Sequence, residues 1–416
     1  MKKFIPLSQP KRTKFFRGVF FVVFRKTLPL LLQQKVFVIM LKQNGIKVKS
    51  ITISGFKSFN RDEHTIELGD VSVLIGANGA GKSNLVSFFK MLGYMMSSAL
   101  QQYIGQEGGA NSILNFGSKH TPKMTAKLEF ETNDSYEFTL AGAAQDTMVF
   151  MDETINNNGV QYSFRGGLKE SNLNNVNVWI STVLSNYKVY QFHDTSATSH
   201  IRNSSYINQN EFLYSDGGNL AAFLFGLKEN EMTKPYYKKI VRHIKRVFPA
   251  FRDFVLQPSA RNNNYIMLDW VGENPVEYKL GAHQLSDGTI RFMALAALLL
   301  QPPENLPSVV VLDEPELGLH PSALVELASM VKIASQHVQV VLATQSPALL
   351  DEFNPEQITV IERDPVSKSS IFKQFTEKDL SIWLENYTLA KFGIKTYWEA
   401  SREQIYSFKY NHRRVN

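Results

Sequence analysis

Apolar and polar residues alternate over Lys47–Ser54 (Val48, Ile51, Ile53), which predicts a first strand running into Gly55-Phe56-Lys57-Ser58-Phe59. Thr65–Leu68 predicts a return strand. Val71-Ser72-Val73-Leu74-Ile75 is a short β-branched run suited to burial on both faces, and it ends at a glycine-rich turn. A helical period follows from Lys82 to about Leu100. Residues 101–280 change character: Thr125–Phe130, Tyr136–Leu140 and Gln161–Phe164 alternate between Asn- and Gly-rich turns, as antiparallel hairpins do, and helical stretches follow. Lys234–Phe248 places Ile240, Ile244, Val247 and Phe248 on one helical side and Lys238, Lys239, Arg242, Lys245 and Arg246 on the rest. From Gln284 the order is helix (Gly288–Leu300), strand (Ser308–Leu312), helix (Pro321–Ser335), strand (Val338–Ala343), a rhythm that predicts a parallel sheet.

Charge alters this picture at one end only. The net charge of the 416 residues is +7. Residues 1–40 hold nine Lys or Arg and no acid, and the remaining 36 basic and 38 acidic residues leave the body at −2. Bulk charge therefore gives no argument for nucleic acid, and the basic face of 234–248 reads first as a solvated helix face. In 1–46 the apolar runs Phe15–Phe24 and Leu28–Leu32 fall short of the about 18–20 residues that span a bilayer. This extension reads as an over-long start, with Met40 as the alternative first residue. A surface anchor or a partner-binding arm is the other reading. The absence of cysteine excludes disulfides and thiolate chemistry and fits a reducing cytoplasm. A membrane location is not expected.

The chemistry begins at Gly76-Ala77-Asn78-Gly79-Ala80-Gly81-Lys82-Ser83, a G-x-x-x-x-G-K-S loop between a strand and a helix. Glycines let the backbone wrap phosphates, and the helix that follows offers its positive end to the same anion. Lys82 is placed to neutralise the β- and γ-phosphates of ATP, and Ser83 to ligate Mg²⁺. Val309-Val310-Val311-Leu312-Asp313-Glu314 delivers two carboxylates to the end of a strand: Asp313 for the metal, Glu314 as general base. Leu285-Ser286-Asp287-Gly288-Thr289 opens a helix ahead of that strand and offers a hydroxyl and helix amides to a γ-phosphate. Pro315–Pro321 follows the acidic pair, with His320 read as an interface or capping residue. Gln345, after the next strand, is an amide that can sense a phosphate but cannot carry a proton.

In order and spacing these motifs resemble the RecF- and SMC-like branch of ABC ATPases. More narrowly, they resemble the bacterial predicted ATPases grouped with the AAA_21 domain and the OLD-like ATPases. The residues that carry the resemblance are Ile53–Phe59, Gly76–Asn84, Leu285–Thr289, Val309–Pro321 and Thr344–Pro347. Tyr190–Ser196 and Gly218-Asn219-Leu220 carry its narrower part. The resemblance implies an α/β P-loop fold of ABC type with a large inserted α+β lobe. Its divisions would be an extension (1–46), the first half of the core (47–100), the lobe (101–280), the second half (281–390) and a tail (391–416).

It also implies that Ser286, Asp287 and Gly288 act on the nucleotide of a second copy, making an ATP-dependent homodimer. Lys57, Ser58 and Asn84 would lie near the nucleotide, and Asn115 is a stand-in for the family's Q-loop glutamine. Transporter relatives carry a histidine where Gln345 stands, so hydrolysis is expected and its rate is open. DNA and a separate nuclease or effector are the implied partners, in repair or antiphage defence. Asp351, Glu352 and Asp364 do not form the acidic cluster of a Toprim nuclease, so this chain is not expected to cut DNA. An ATP-gated partner-binding module with slow hydrolysis is the alternative function, and the ATPase subunit of a transporter a third.

Overall fold

The computed structural model describes residues 47–157, 159–173, 178–273 and 278–374. The N-terminal extension with its Met40 alternative, and the tail, lie outside them.

The first elements are β1 (Val48–Ser54), β2 (His64–Glu67), β3 (Val71–Ile75), α1 (Lys82–Met96), α2 (Leu100–Gln106) and α3 (Ala110–Ile113). The helix expected over 82–100 is thus broken. Ser97 bonds back to the Gly93 and Tyr94 carbonyls, and Ser98 takes a left-handed φ of 54° before α2 begins. Next come β4 (Lys123–Phe130), β5 (Ser135–Ala143), β6 (Thr147–Asn157), β7 (Val160–Phe164), α4 (Val178–Ser185), β8 (Tyr187–Tyr190) and β9 (Ser205–Tyr206). Helices α5 (Leu220–Glu229) and α6 (Lys234–Val247) precede five short strands: β10 (Phe251–Val255), β11 (Pro258–Ser259), β12 (Asn262–Ile266), β13 (Asp269–Gly272) and β14 (Lys279–Gly281). The chain then runs through α7 (Asp287–Leu299), β15 (Val309–Asp313), α8 (Pro321–Ala334), β16 (Gln339–Thr344), α9 (Pro347–Leu350), β17 (Ile358–Arg363) and β18 (Ser370–Gln374).

Two six-stranded sheets organise the described residues. One is antiparallel, in the order β2-β1-β4-β5-β6-β7, and the alternating burial of β4 turns one face inward. The other runs β18-β17-β3-β16-β15-β8 and is parallel except for the β17–β18 hairpin. Every residue of β15 and β16 is buried, as a sheet covered on both faces requires. Helix α7 is buried from Ile290 to Leu299, which explains why its apolar residues show little sidedness.

Segment 101–280 contributes to both sheets. Strand β4 pairs with β1, so the hairpins extend the N-terminal strands, while β8 pairs with β15 inside the parallel sheet. The segment expected as an inserted lobe thus pairs with strands of both large sheets. On α6, Ile240 and Ile244 are fully buried; Lys245 meets Glu273 at 3.1 Å and Arg246 meets Glu326 at 3.0 Å. No helix among the described residues is long and apolar enough to cross a membrane.

Candidate functional site

Parallel pairing places the C-terminal ends of β3, β16, β15 and β8 side by side, and each end carries a loop with candidate chemistry. The Gly76–Ser83 loop leaves β3 beneath the N-terminus of α1. Its glycines serve different needs. A Cβ on Gly76 would lie 2.2 Å from the Ile361 carbonyl oxygen, and one on Gly81 would lie 2.2 Å from Ser370 Oγ. Gly79 has open space around it but a φ of 75°. Gly81 supplies no side-chain cap to α1, and the first turn of α1 contains no acid, so its leading amides remain donors for an anion. The Lys82 ammonium bonds to the Gly76 and Ala77 carbonyls. Burial lowers its pKa, while Glu314, Glu316 and Asp313 pull the other way, which places all three carboxylates in the same field.

Asp313 is buried at the end of β15, where its Oδ2 accepts a 2.6 Å hydrogen bond from Gln191 Nε2 and its backbone carbonyl accepts one of 2.9 Å from His193. Gln191 Oε1 in turn accepts from Lys90 on α1 at 2.6 Å. Gln191, the residue after β8, thus bridges the acidic strand end and the helix of the phosphate loop. Asn115, expected as a stand-in for the Q-loop glutamine, donates from its side chain to the Lys57 carbonyl and from its backbone N–H to the Gly55 carbonyl. It is a buried brace under the β1 turn, and Gln191 holds the position next to the Asp313 carboxylate. The Ser83 hydroxyl and the Asp313 carboxylate are hard oxygen donors of the kind Mg²⁺ takes, so these residues fit that ion.

Glu314 sits in a left-handed conformation, with φ 45°. Its N–H bonds to the Ala343 carbonyl at 2.7 Å, and its carboxylate accepts from the Gln345 amide. The expected base and the expected sensor are therefore in direct contact.

Ser286 caps α7, accepting from the Thr289 N–H at 3.1 Å. Asp287 pairs with Arg202 at 2.7 Å, which holds its carboxyl below the usual range. Gly288 packs so closely on Gly318 that a Cβ would lie 2.1 Å from the Gly318 carbonyl oxygen. Buried Arg291 binds the carbonyls of Phe192, His193 and Leu317, tying α7 to the segments after β8 and β15. Among the described residues the side-chain hydrogen bonds of Ser286 and Asp287 go to Thr289, Arg202 and Thr195, and none goes to the phosphate loop. His320 caps α8 by accepting from the Ser322 N–H, one of the two roles expected of it.

Ser58 is buried behind the phosphate loop. Its hydroxyl meets Asn84 Nδ2 at 2.7 Å and Ser370 Oγ at 2.6 Å, and Ser370 also bonds to the Ala80 carbonyl. The Lys57 ammonium is engaged by Ser87 at 2.7 Å and Glu107 at 2.6 Å.

A family model described as "AAA domain, putative AbiEii toxin, Type IV TA system" matches residues 71–351. Among solved structures, an Smc head bound to the C-terminal winged-helix domain of ScpA has a TM-score of 0.53 at 13% identity, covering 80% of this chain and 99% of that one. An Smc head with an extended coiled coil bound to the C-terminal domain of ScpA, derived from Pyrococcus furiosus, has a TM-score of 0.52 at 11% identity, with coverages of 82% and 99%. No curated protein sequence matches the chain. At these identities the structural likeness shows the fold alone, which is that of the Smc heads. The family match spans more than half of the chain and takes in every strand whose end carries a site loop, so the chain belongs to the AAA_21 family of P-loop ATPases.

Proposed function

We propose that this chain binds ATP with Mg²⁺ and hydrolyses it in a site completed by the Ser286–Gly288 segment of a second copy. The observation that carries this reading is the meeting, at one sheet edge, of uncapped α1 amides and Lys82 with the carboxylates Asp313 and Glu314. Backbone N–H groups of Gly76–Ser83 and the Lys82 ammonium bind the phosphates. Ser83 and Asp313 would hold Mg²⁺, which when bound would supply positive charge against the phosphates. Glu314 accepts the proton of the attacking water, and the Gln345 amide orients Glu314 or the phosphate by hydrogen bonding alone. The side-chain bonds of Ser286 and Asp287 go to Thr289, Arg202 and Thr195 and leave their own phosphate loop unengaged among the described residues, which supports action on a partner's nucleotide.

Turnover in this reading drives a partner protein or a DNA transaction. The solved heads named above are bound to ScpA domains, which supports a partner-binding role. The family description, with its putative toxin and Type IV TA system, supports a defence setting. Glu314→Gln should retain ATP binding, lose turnover by about 100-fold or more, and accumulate an ATP-bound dimer in size-exclusion chromatography. Unchanged turnover would refute the assignment of Glu314. A specific contact favours a second reading, an ATP-gated binding module: Gln345 occupies the Glu314 carboxylate, so turnover waits on its release. A dimer that forms on ATP with wild-type turnover slower than its dissociation would select that reading.

A further inference from the structure

Glu316 has no part in the reaction as described, yet its carboxylate stands between the two loops that hold the base and the sensor. Its Oε1 accepts the Thr344 hydroxyl at 2.6 Å and the Gln345 N–H at 2.8 Å. The Thr344 hydroxyl accepts in turn from the Ser346 N–H at 3.0 Å, so its proton is directed at Glu316. Oε2 is buried without a hydrogen-bond partner among the described residues. Half-burying a carboxylate and leaving one oxygen unmatched is costly, and a purely structural bond to one N–H and one hydroxyl could be made by a neutral side chain. What the side chain supplies is one oxygen that grips the Thr344–Gln345 turn twice.

The backbone gives that grip a purpose. Glu314 is a non-glycine residue at φ 45°, a conformation that persists only when its surroundings impose it. The kink sends Pro315 and Glu316 back towards the end of β16, and the Glu314 N–H bonds to Ala343. The contacts close a ring. Glu316 holds the Gln345 backbone, the Gln345 side chain holds the Glu314 carboxylate, and the Glu314 backbone holds Ala343.

We propose that Glu316 is a positioning residue for ATP hydrolysis: it fixes the Thr344–Gln345 turn so that the Gln345 amide meets the Glu314 carboxylate. This rests on the reading of the chain as an ATPase. Glu316→Ala should lower kcat on the order of 10-fold or more while KM for ATP stays within about 2-fold, because the phosphate loop is untouched. Glu316→Gln should restore most of that rate, since its amide oxygen can accept the same two bonds. In a Gln345→Ala background, Glu316→Ala should cause no further loss, because the residue acts through Gln345.

Independent, additive losses in the double variant would overturn the proposal, as would wild-type kcat in Glu316→Ala. Glu316→Asp withdraws the gripping oxygen by one methylene while keeping the charge, and should lose rate as Glu316→Ala does. If Glu316→Ala fails to fold, Glu316→Asp decides the matter, and a normal kcat there overturns the proposal. A wild-type protein that does not turn over ATP would instead sink the functional reading itself.

Discussion

Single residues around the site do work that their chemical type alone does not reveal. Gly288 offers no side chain to the reaction, yet a Cβ there would run into the Gly318 backbone, which cannot swing aside as a flexible side chain could. Gly288→Ala should therefore cost about 1–3 kcal/mol of stability, measured by urea unfolding, and should lower turnover by parting α7 from the loop after β15. Glu316 allows a test in pH. Burial raises its carboxyl above the usual range, against hydrogen bonds from Thr344 and Gln345, with the nearby Glu314 charge adding to the rise; Lys82 faces the same cluster. A carboxyl with a raised folded value binds more protons folded than unfolded, so its contribution to stability falls as pH climbs from the unfolded value to the folded one. Glu316→Gln has no such titration. Its stability relative to wild type should improve from about pH 4.5 upward, and a gap that does not change with pH would show the carboxyl to be unshifted.

At the scale of elements, legibility followed the range of the forces involved. Strands β3, β15 and β16 announce themselves because burial on both faces demands unbroken apolar runs, and Gly76–Ser83 and Asp313-Glu314 sit at their ends. Helix α1 was legible at its start, set by the glycine loop, and not at its end, where Ser97 and Ser98 bond locally. Gln191 was illegible as a site residue. It follows a strand of four residues whose place in the sheet comes only from pairing with β15, far along the chain. Asn115 stood closer in sequence to the hairpins, and sequence distance was the wrong measure. The available signal was a glutamine directly after the buried Val189-Tyr190 pair, within the Tyr190–Ser196 segment already singled out by resemblance. If Asp313 is the Mg²⁺ ligand proposed above, Gln191→Leu should raise the Mg²⁺ concentration needed for half-maximal turnover by about 10-fold or more, through loss of its hydrogen-bond partner. Titration of ATPase rate against Mg²⁺ checks this, and an unchanged requirement would separate Gln191 from the metal.

For the whole molecule, one buried side chain joins the two large sheets. Gln339 at the start of β16 accepts from the Val48 N–H at 2.8 Å and donates to the carbonyls of Val48 at 2.9 Å and Gly69 at 3.1 Å. Gln339→Leu keeps the bulk and strands three backbone groups, so it should destabilise the fold by about 3 kcal/mol, read as a lower midpoint in chemical unfolding. The strand order carries a consequence for how the protein is made. On the ribosome the phosphate loop emerges early, but both neighbours of β3 in the sheet, β16 and β17, lie beyond residue 338. A growing chain thus exposes its glycine loop long before anything can hold it in shape. Chains that stop short of β16 and β17 should carry the full motif and fail to bind ATP, so nucleotide binding becomes a sign that synthesis has passed β17.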